Sequence, residues 1–494
     1  MRKSIFSALF IFLIFFAAMA WIEFATFDLP DNDGFYHIKM AYLMRTESFK
    51  PAFPYLPLTI LNADDFYDHH FLYHIALIPF TFGDLRLGAK WSAVLFASLA
   101  FLAVWIFFKR QRIPLHWLWA IALLALSAPF LYRMSVTRAQ SLSLGMLALG
   151  MIFLLEGKNK YLALLAFVYV WTYNAFPILL ALGVLHFLAA ALIEHRFDQR
   201  PLLFIAGGML AGVLVNPYFP NNLLFTYHHL FAKLTDATST SVGSEWYPYT
   251  TLHILNNSLP TLIVFAGGIF ALGLSGRKME TRTAFALLAT FIFGLMFFQA
   301  RRFVEYFPPF ALIFAALAFT PLLDRRADSS SPGESRLARF LPHLPALLLC
   351  LALTAGLVRT LPLARADILD SAPYSNFQGA SAWLEENTPP GARVFQTDWD
   401  DFPRLFYYNT HNTYLVGLDP TYMQIYDPEL YATWVNLTNG DMLPISYVAA
   451  TTFDAKYIVS DLYHDGFLAA AGDDPYLIEV YRDGRSVVYE IVLP

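Results

Sequence analysis

Eleven apolar stretches recur along the chain, at about 4–24, 88–108, 114–131, 139–155, 161–176, 178–194, 201–216, 260–275, 283–299, 303–323 and 340–358. Most are nearly free of charge and close to the length that crosses a bilayer as a helix. A chain carrying this many cannot fold as an ordinary water-soluble domain. The composition agrees, with 57% hydrophobic residues, 14% charged residues and a mean hydropathy of +0.48. The net charge of -5 and the lack of a basic stripe exclude nucleic acid as a partner. Cys350 is the single cysteine, so no intrachain disulfide is possible. The first stretch is too long for a signal-peptide core and reads as a retained helix.

Loop charge sets the orientation. With the N-terminus inside, the cytoplasmic segments are Arg2-Lys3, Lys109-Arg110-Gln111-Arg112, Lys158-Asn159-Lys160 and residues 196–200, 277–282 and 325–339, all basic. The alternation then places residues 25–87, 217–259 and 359–494 outside. The expected architecture is a polytopic α-helical membrane protein with about 11 transmembrane helices. Residues 1–358 form the membrane domain with two large external loops, and 359–494 form a soluble α/β domain outside the cytoplasm. Residues 324–339 carry Ser329-Ser330-Ser331-Pro332-Gly333 and read as a cytoplasmic linker. In the C-terminal domain, 377–386 has a helical pattern, and 393–395, 456–459 and 486–492 read as strands. No inverted repeat of the hydrophobic pattern is visible.

Polar residues in so apolar a chain point to function. Asp31-Asn32-Asp33-Gly34-Phe35-Tyr36-His37 follows the first span. Asp33, with Asp31 and His37, supplies groups that accept a proton from a nucleophile or hold a metal beside a phosphate. A plainer account makes Asp33 the cap of a helix starting at Gly34. Asp64-Asp65-Phe66-Tyr67-Asp68-His69-His70, with His74 one turn on, is a second cluster. Asp and His suit a divalent ion, and a helix here would put His70 and His74 on one face. The alternative is a polar loop at the head of a helix. Arg133, Arg138, Arg301 and Arg302 lie at external ends of spans, against the positive-inside bias. Guanidinium groups there grip phosphate bidentately, or else snorkel to lipid head groups. Loop 217–259 contributes His228-His229 and Glu245-Trp246-Tyr247-Pro248. In the soluble domain, Trp399, Asp400 and Asp401 combine an aromatic ring with carboxylates, as a sugar- or peptide-binding face does. A loop packing that domain onto its surroundings would look the same.

This order of parts resembles the GT-C glycosyltransferases, and most of all the catalytic subunit of oligosaccharyltransferases. The resemblance rests on Asn32-Asp33-Gly34-Phe35-Tyr36-His37 in the first external loop and on Arg302-Phe303 with Tyr306 and Pro308 in a late helix. It rests also on Trp383-Leu384-Glu385-Glu386-Asn387-Thr388-Pro389 and on Asp398-Trp399-Asp400-Asp401-Phe402. The layout is similar over nearly the whole chain, the motifs over four short patches. The family's second external acidic motif has no counterpart, since this chain reads Tyr132-Arg133-Met134-Ser135-Val136-Thr137-Arg138 there. The Trp-Trp-Asp-Tyr-Gly motif that reads the glycosylation sequon is half present, so Asn-x-Ser/Thr specificity does not carry over.

The resemblance implies an inverting membrane glycosyltransferase in the inner, cytoplasmic membrane. It implies a polyprenyl-phosphate or polyprenyl-pyrophosphate sugar donor and an extracytoplasmic protein, glycan or lipid acceptor. Asp33 would prepare the acceptor, with Asp31 and His37 beside it. Arg302 and Arg301, with Arg133 and Arg138, would take the leaving phosphate. A divalent metal, Mg or Mn, would sit on Asp33 with Asp65, Asp68, His69, His70 or Glu245. Trp399, Asp400 and Asp401 would face the acceptor. Two rival readings are a transporter or flippase of lipid-linked sugars and a non-catalytic glycan-binding relative.

Overall fold

The computed structural model describes residues 2–235, 243–324 and 344–494. The stretch read as a cytoplasmic linker lies outside the described residues beyond Asp324. The chain forms two compact units. The first comprises Met1–Thr26, Lys90–Val215 and Ser244–Asp370; the second comprises Phe27–Ala89, Asn216–Gly243 and Ser371–Pro494.

Each of the eleven stretches is built mainly of helix where it is described. Among the described residues, six helices are long and apolar enough to cross a membrane: Ile5–Glu23, Leu85–Arg110, Pro177–Glu194, Thr281–Gln299, Arg301–Asp324 and Ala346–Leu369. Two bent pairs raise the number to eight at most, so the expected count of about 11 spans is not reproduced. The physical reason is length. Gln140–Leu155, Asn159–Thr172 and Arg200–Leu214 hold 16, 14 and 15 residues. At 1.5 Å per residue such helices reach only about 21–24 Å, short of a ~30 Å hydrocarbon core. The chain is an integral membrane protein on the strength of the longer helices.

The bent pairs share one chemical device. His116–Ala125 meets Ala128–Ser135 at 90°, and Thr251–Asn257 meets Leu259–Ser275 at 82°. Each break carries Ser-x-Pro: Ser127 with Pro129, and Ser258 with Pro260. Ser127 caps its new helix by accepting from Phe130 N at 3.3 Å, whereas Ser258 takes the N-cap position without a side-chain cap bond; proline tolerates the first turn of each, where no donor is needed. The broken ends leave backbone groups that lipid cannot satisfy. Here the two breaks satisfy each other. Ser127 Oγ lies 2.8 Å from Ser258 Oγ, Thr261 Oγ1 donates to the Leu126 carbonyl at 3.0 Å, and Thr360 Oγ1 to the Ala125 carbonyl at 3.1 Å. Close helix approach is set elsewhere by Gly208, where a Cβ would fall 2.1 Å from the Ala163 carbonyl oxygen. Arg301–Asp324 is the most enclosed of the six, with 83% of its apolar window buried.

In the second unit, helix α1 of that unit (Asn32–Thr46) and the loops after it pack on the C-terminal segment. Phe35 stacks on Tyr374 with centroids 5.4 Å apart, and Tyr414 N donates to the Tyr55 carbonyl at 2.8 Å. The C-terminal sheet has five strands: β1 (Arg393–Gln396), β2 (Thr413–Tyr414), β3 (Tyr457–Asp461), β4 (Leu477–Arg482) and β5 (Ser486–Ile491). Their order is β2-β1-β3-β5-β4. β1 runs parallel to β2 and β3, while β5 is antiparallel to β3 and β4. The expected helix is present at Gln378–Asn387, and the three expected strands are β1, β3 and β5. β2 and β4 were not anticipated. The carboxyl ends of the parallel strands β1 and β3 open onto residues 397–401 and 461–464, the place where α/β sheets present functional groups.

Candidate functional site

Two clusters of polar side chains stand out, one in each unit. In the first unit, Ser127 starts the helix Ala128–Ser135, whose last turn carries Arg133. A 3-10 turn at Ser244–Trp246 presents Glu245, and another at Arg301–Glu305 presents Arg302 and Glu305. Arg133 is held between two carboxylates. Its Nη1 donates to Glu245 at 2.7 Å and its Nε to Glu305 at 2.7 Å, with Nη2 on the same Glu305 oxygen. Arg138 approaches Glu245 at 3.6 Å. Arg302 lies 3.7 Å from Glu245, 3.5 Å from the Tyr173 hydroxyl and 4.1 Å from the centroid of the Trp246 ring.

Burial alone would raise the Glu245 carboxyl, but Arg133, Arg302 and Arg138 together hold it far below the ordinary carboxylate range. Glu245 is therefore an anion at any relevant pH. Three guanidinium groups face two carboxylates, which leaves an excess of one positive charge if Glu305 is ionised. Arg133 is the most committed of the three. Arg302 is held more loosely, by one long hydrogen bond, a ring face and an ion pair beyond hydrogen-bond distance. Arg301 is turned away: its Nε reaches the Pro248 carbonyl at 3.3 Å and its guanidinium lies over Tyr249. The structure thus gathers Arg133, Arg138 and Arg302, and not Arg301. Glu305 and Tyr173 were missed on sequence; an acid two residues after Arg302-Phe303 was the available signal.

In the second unit, helix Asn32–Thr46 starts earlier than a cap at Asp33 requires. Asp31 occupies the N-cap position without a side-chain cap bond, and Asp33 lies in the first turn, where its charge suits the helix dipole. His37 follows one turn later on the same face. It is 3% exposed, and its Nδ1 lies 2.7 Å from His74 Nε2. His74 Nδ1 in turn lies 2.7 Å from Asp68 Oδ2. Asp68, His74 and His37 thus form one buried hydrogen-bonded chain.

His70 stands at the N-cap of the helix Phe71–Leu77, and its ring centroid is 4.8 Å from that of His37. Burial, with His69, His37 and other histidines nearby, pushes it well below the usual imidazole range, so it is neutral. His69 stacks on Phe225, as does His229. Asp65 is exposed and accepts from Asn62 at 3.0 Å. Among the described residues, no three His, Cys, Asp or Glu side chains converge as a metal-holding group. The residues considered for a metal on sequence, Asp33, Asp65, Asp68, His69, His70 and Glu245, thus divide between a helix first turn, a histidine cluster with Asp68, an aromatic stack, a surface turn and an arginine cluster.

The 397–404 segment leaves the carboxyl end of β1. Thr397 Oγ1 donates to Ser460 at 2.9 Å, and Asp398 caps the short turn Trp399–Asp401 by accepting from Asp400 N at 2.9 Å. Trp399 packs partly against the core of the soluble domain. The Asp400 carboxyl accepts from Asn32 Nδ2 at 2.9 Å. Burial first, then the charges of Asp33, Asp398 and Asp31, push Asp400 up to about 8. It is protonated at neutral pH while it shares its surroundings with other acids. Asp401 is also pushed well up, by burial and then by Asp398 and Asp461, and its Oδ2 is buried without a hydrogen-bond partner.

No protein-family signature and no curated protein sequence matches the chain. Solved structures do. The oligosaccharyltransferase of Archaeoglobus fulgidus in its apo form superposes with a TM-score of 0.65 at 14% identity, over 95% of this chain and 72% of its own. ArnT from Cupriavidus metallidurans, bound to undecaprenyl phosphate, does so with a TM-score of 0.58 at 16% identity, over 99% and 98%. The fold is that of the GT-C membrane glycosyltransferases. The archaeal AglB enzyme, in complex with an inhibitory peptide and a dolichol-phosphate, matches with a TM-score of 0.60 at 14% identity, over 95% of this chain and 71% of its own. A buried ion pair that sequence reading missed, Lys90 with Glu23 at 3.6 Å, ties two spans of the same unit.

Proposed function

We propose that the chain is a membrane glycosyltransferase that moves a sugar or oligosaccharide from a polyprenyl-phosphate-linked donor to an extracytoplasmic acceptor. The observation that carries this reading is the cluster of Arg133, Arg138 and Arg302 around Glu245, in a chain with the GT-C fold. A lipid-linked phosphate needs a cationic, partly buried seat, and a guanidinium fork keeps its charge there. In the proposed reaction an acceptor nucleophile attacks the anomeric carbon while Asp33 takes its proton, with His37 as the neighbouring base. The bond from that carbon to the phosphate oxygen breaks, and its electron pair leaves with the phosphate. Arg302, with Arg138 and Arg133, stabilises the charge that develops. A single displacement of this kind inverts the anomeric centre. Trp399, Asp400 and Asp401 flank the acceptor side.

The test is turnover of a polyprenyl-phosphate sugar by the purified protein in lipid. Sugar transfer with release of polyprenyl phosphate supports the enzyme; translocation without donor cleavage supports the flippase instead. The same assay addresses the metal, which is a separable part of the proposal. A Mg or Mn ion on Asp33 predicts that EDTA lowers the rate at least tenfold and that either ion restores it. The side chains in place converge on no ion, so no step above passes through one, and a rate indifferent to EDTA removes the metal alone.

The proposed orientation puts residues 25–87 and the C-terminal domain outside the cytoplasmic membrane. Asp65 and Ser375 are both exposed. In a Cys350→Ala background, Asp65→Cys and Ser375→Cys should each react with an impermeant maleimide added outside intact cells. Labelling of one from outside and the other only after lysis would overturn the orientation.

A further inference from the structure

Asn32 makes contacts that a solvated loop residue does not need. Its Nδ2 donates to the Asp400 backbone carbonyl at 3.1 Å and to Asp400 Oδ2 at 2.9 Å. Its Oδ1 accepts from Arg404 Nε at 2.7 Å. The amide thus has both ends engaged by partners more than 360 residues away in sequence. Arg404 is 3% exposed and is itself fixed: Nη1 donates to the Pro373 carbonyl at 2.8 Å, and its guanidinium lies 4.3 Å from the Phe35 ring centroid. Phe35 belongs to the same first helical turn as Asn32 and Asp33. The turn is therefore held on two sides, by an amide clamp through Asn32 and by ring packing through Phe35. Asp33 lies between these two anchor points in sequence, within the first turn of the helix.

We infer that Asn32, clamped between Asp400 and Arg404, is a positioning residue that sets the Asp33 carboxylate for proton transfer. The inference rests on the reading of Asp33 as the acceptor-activating base. It gives the 398–404 segment a second duty: Asp400 faces the base-bearing turn rather than serving only an acceptor. A general base must stay within hydrogen-bond reach of the proton it takes, and a displacement of about 1 Å costs about 100-fold in rate. A hydrogen-bonded amide holds such a turn better than a charged pair would, because it adds no charge beside the carboxylates.

The test is a kinetic cycle in the donor-lipid assay. Asn32→Ala should lower kcat about 100-fold with the donor KM within twofold, because donor binding does not involve this turn. Asn32→Gln keeps both amide functions and should recover at least tenfold of that loss. In an Asp33→Asn background, Asn32→Ala should cause no further loss, since it acts through Asp33. Arg404→Lys keeps the charge but loses the Nε bond and should give an intermediate loss; it serves as the second variant should Asn32→Ala fold poorly, as judged by its melting temperature. A kcat for Asn32→Ala within threefold of wild type overturns the inference and leaves the base assignment standing. So does a loss that adds in full to that of Asp33→Asn. If Asp33→Asn alone keeps its turnover, the base assignment itself is wrong, and positioning through Asp33 falls with it.

Discussion

Asp33→Asn is expected to reduce glycosyl transfer by about 10²–10⁴-fold while the protein stays folded, the range that general-base catalysis contributes. That loss corresponds to about 2.7–5.5 kcal/mol of transition-state stabilisation. The competing account, in which Asp33 serves the helix, predicts a different magnitude. Asp33 is in the first turn and not at the cap, so its structural contribution is a charge–dipole term of about 0.3–1 kcal/mol. Asparagine keeps the size and loses the charge and the basicity. A helix role therefore predicts a small drop in melting temperature and near-normal turnover. Single-turnover rates and thermal melts on the same preparation separate the two. A variant with wild-type turnover would leave Asp33 as a helix-end charge and remove the base from the proposed reaction.

Most of the fold was legible because lipid leaves few choices. Each apolar stretch became mainly helix. The count of about 11 is not confirmed, because three of the helices are short, and the bends inside two stretches do not show in hydropathy alone. Ser127-Ala128-Pro129 and Ser258-Leu259-Pro260 announce a helix start inside apolar runs, and both mark breaks of 82–90°. β4 was missed because Leu477–Arg482 is half exposed and lies at the sheet edge, so its pattern does not alternate cleanly. At the candidate site, the helical spacing of His70 and His74 was visible, and both rings do approach His37. The link from His74 to Asp68 needed the fold. The arginines were visible as charges on the wrong side of the positive-inside rule, and three of the four cluster. Their partner Glu305 was passed over: it stands close after Arg302-Phe303, but one acid in an apolar helix start gives no periodic signal. The clamp from Asn32 to Asp400 and Arg404 spans more than 360 residues and has no local signature at all. Sequence reading finds groups whose chemistry is unusual for their surroundings. It does not find the groups that hold them.

Arg302→Ala is expected to lower kcat/KM for the lipid donor by about 10²–10³-fold, the range for removing one preorganised donor to a developing oxyanion. Arg302→Lys should fall between alanine and wild type. Lysine keeps the positive charge, but it loses the planar fork and the stacking on Trp246, where the guanidinium now lies 4.1 Å from the ring centroid. The ordering wild type, lysine, alanine is the signature of a phosphate seat, because a fork grips two oxygens and an ammonium grips one. An interfacial anchor predicts another ordering. A lysine snorkels as well as an arginine, so Arg302→Lys would then be silent in donor affinity and rate. Charge counting sharpens the choice. With Glu305 ionised, wild type has three guanidinium groups against two carboxylates, and the alanine variant has two, which cancels the excess. Binding of polyprenyl phosphate to Arg302→Ala should therefore lose most of its dependence on ionic strength as well as its strength, whereas loss of a mere anchor would leave that dependence in place. If donor binding by Arg302→Ala keeps the salt dependence of wild type, the phosphate does not sit on this cluster, and the proposed role of Arg302 is wrong.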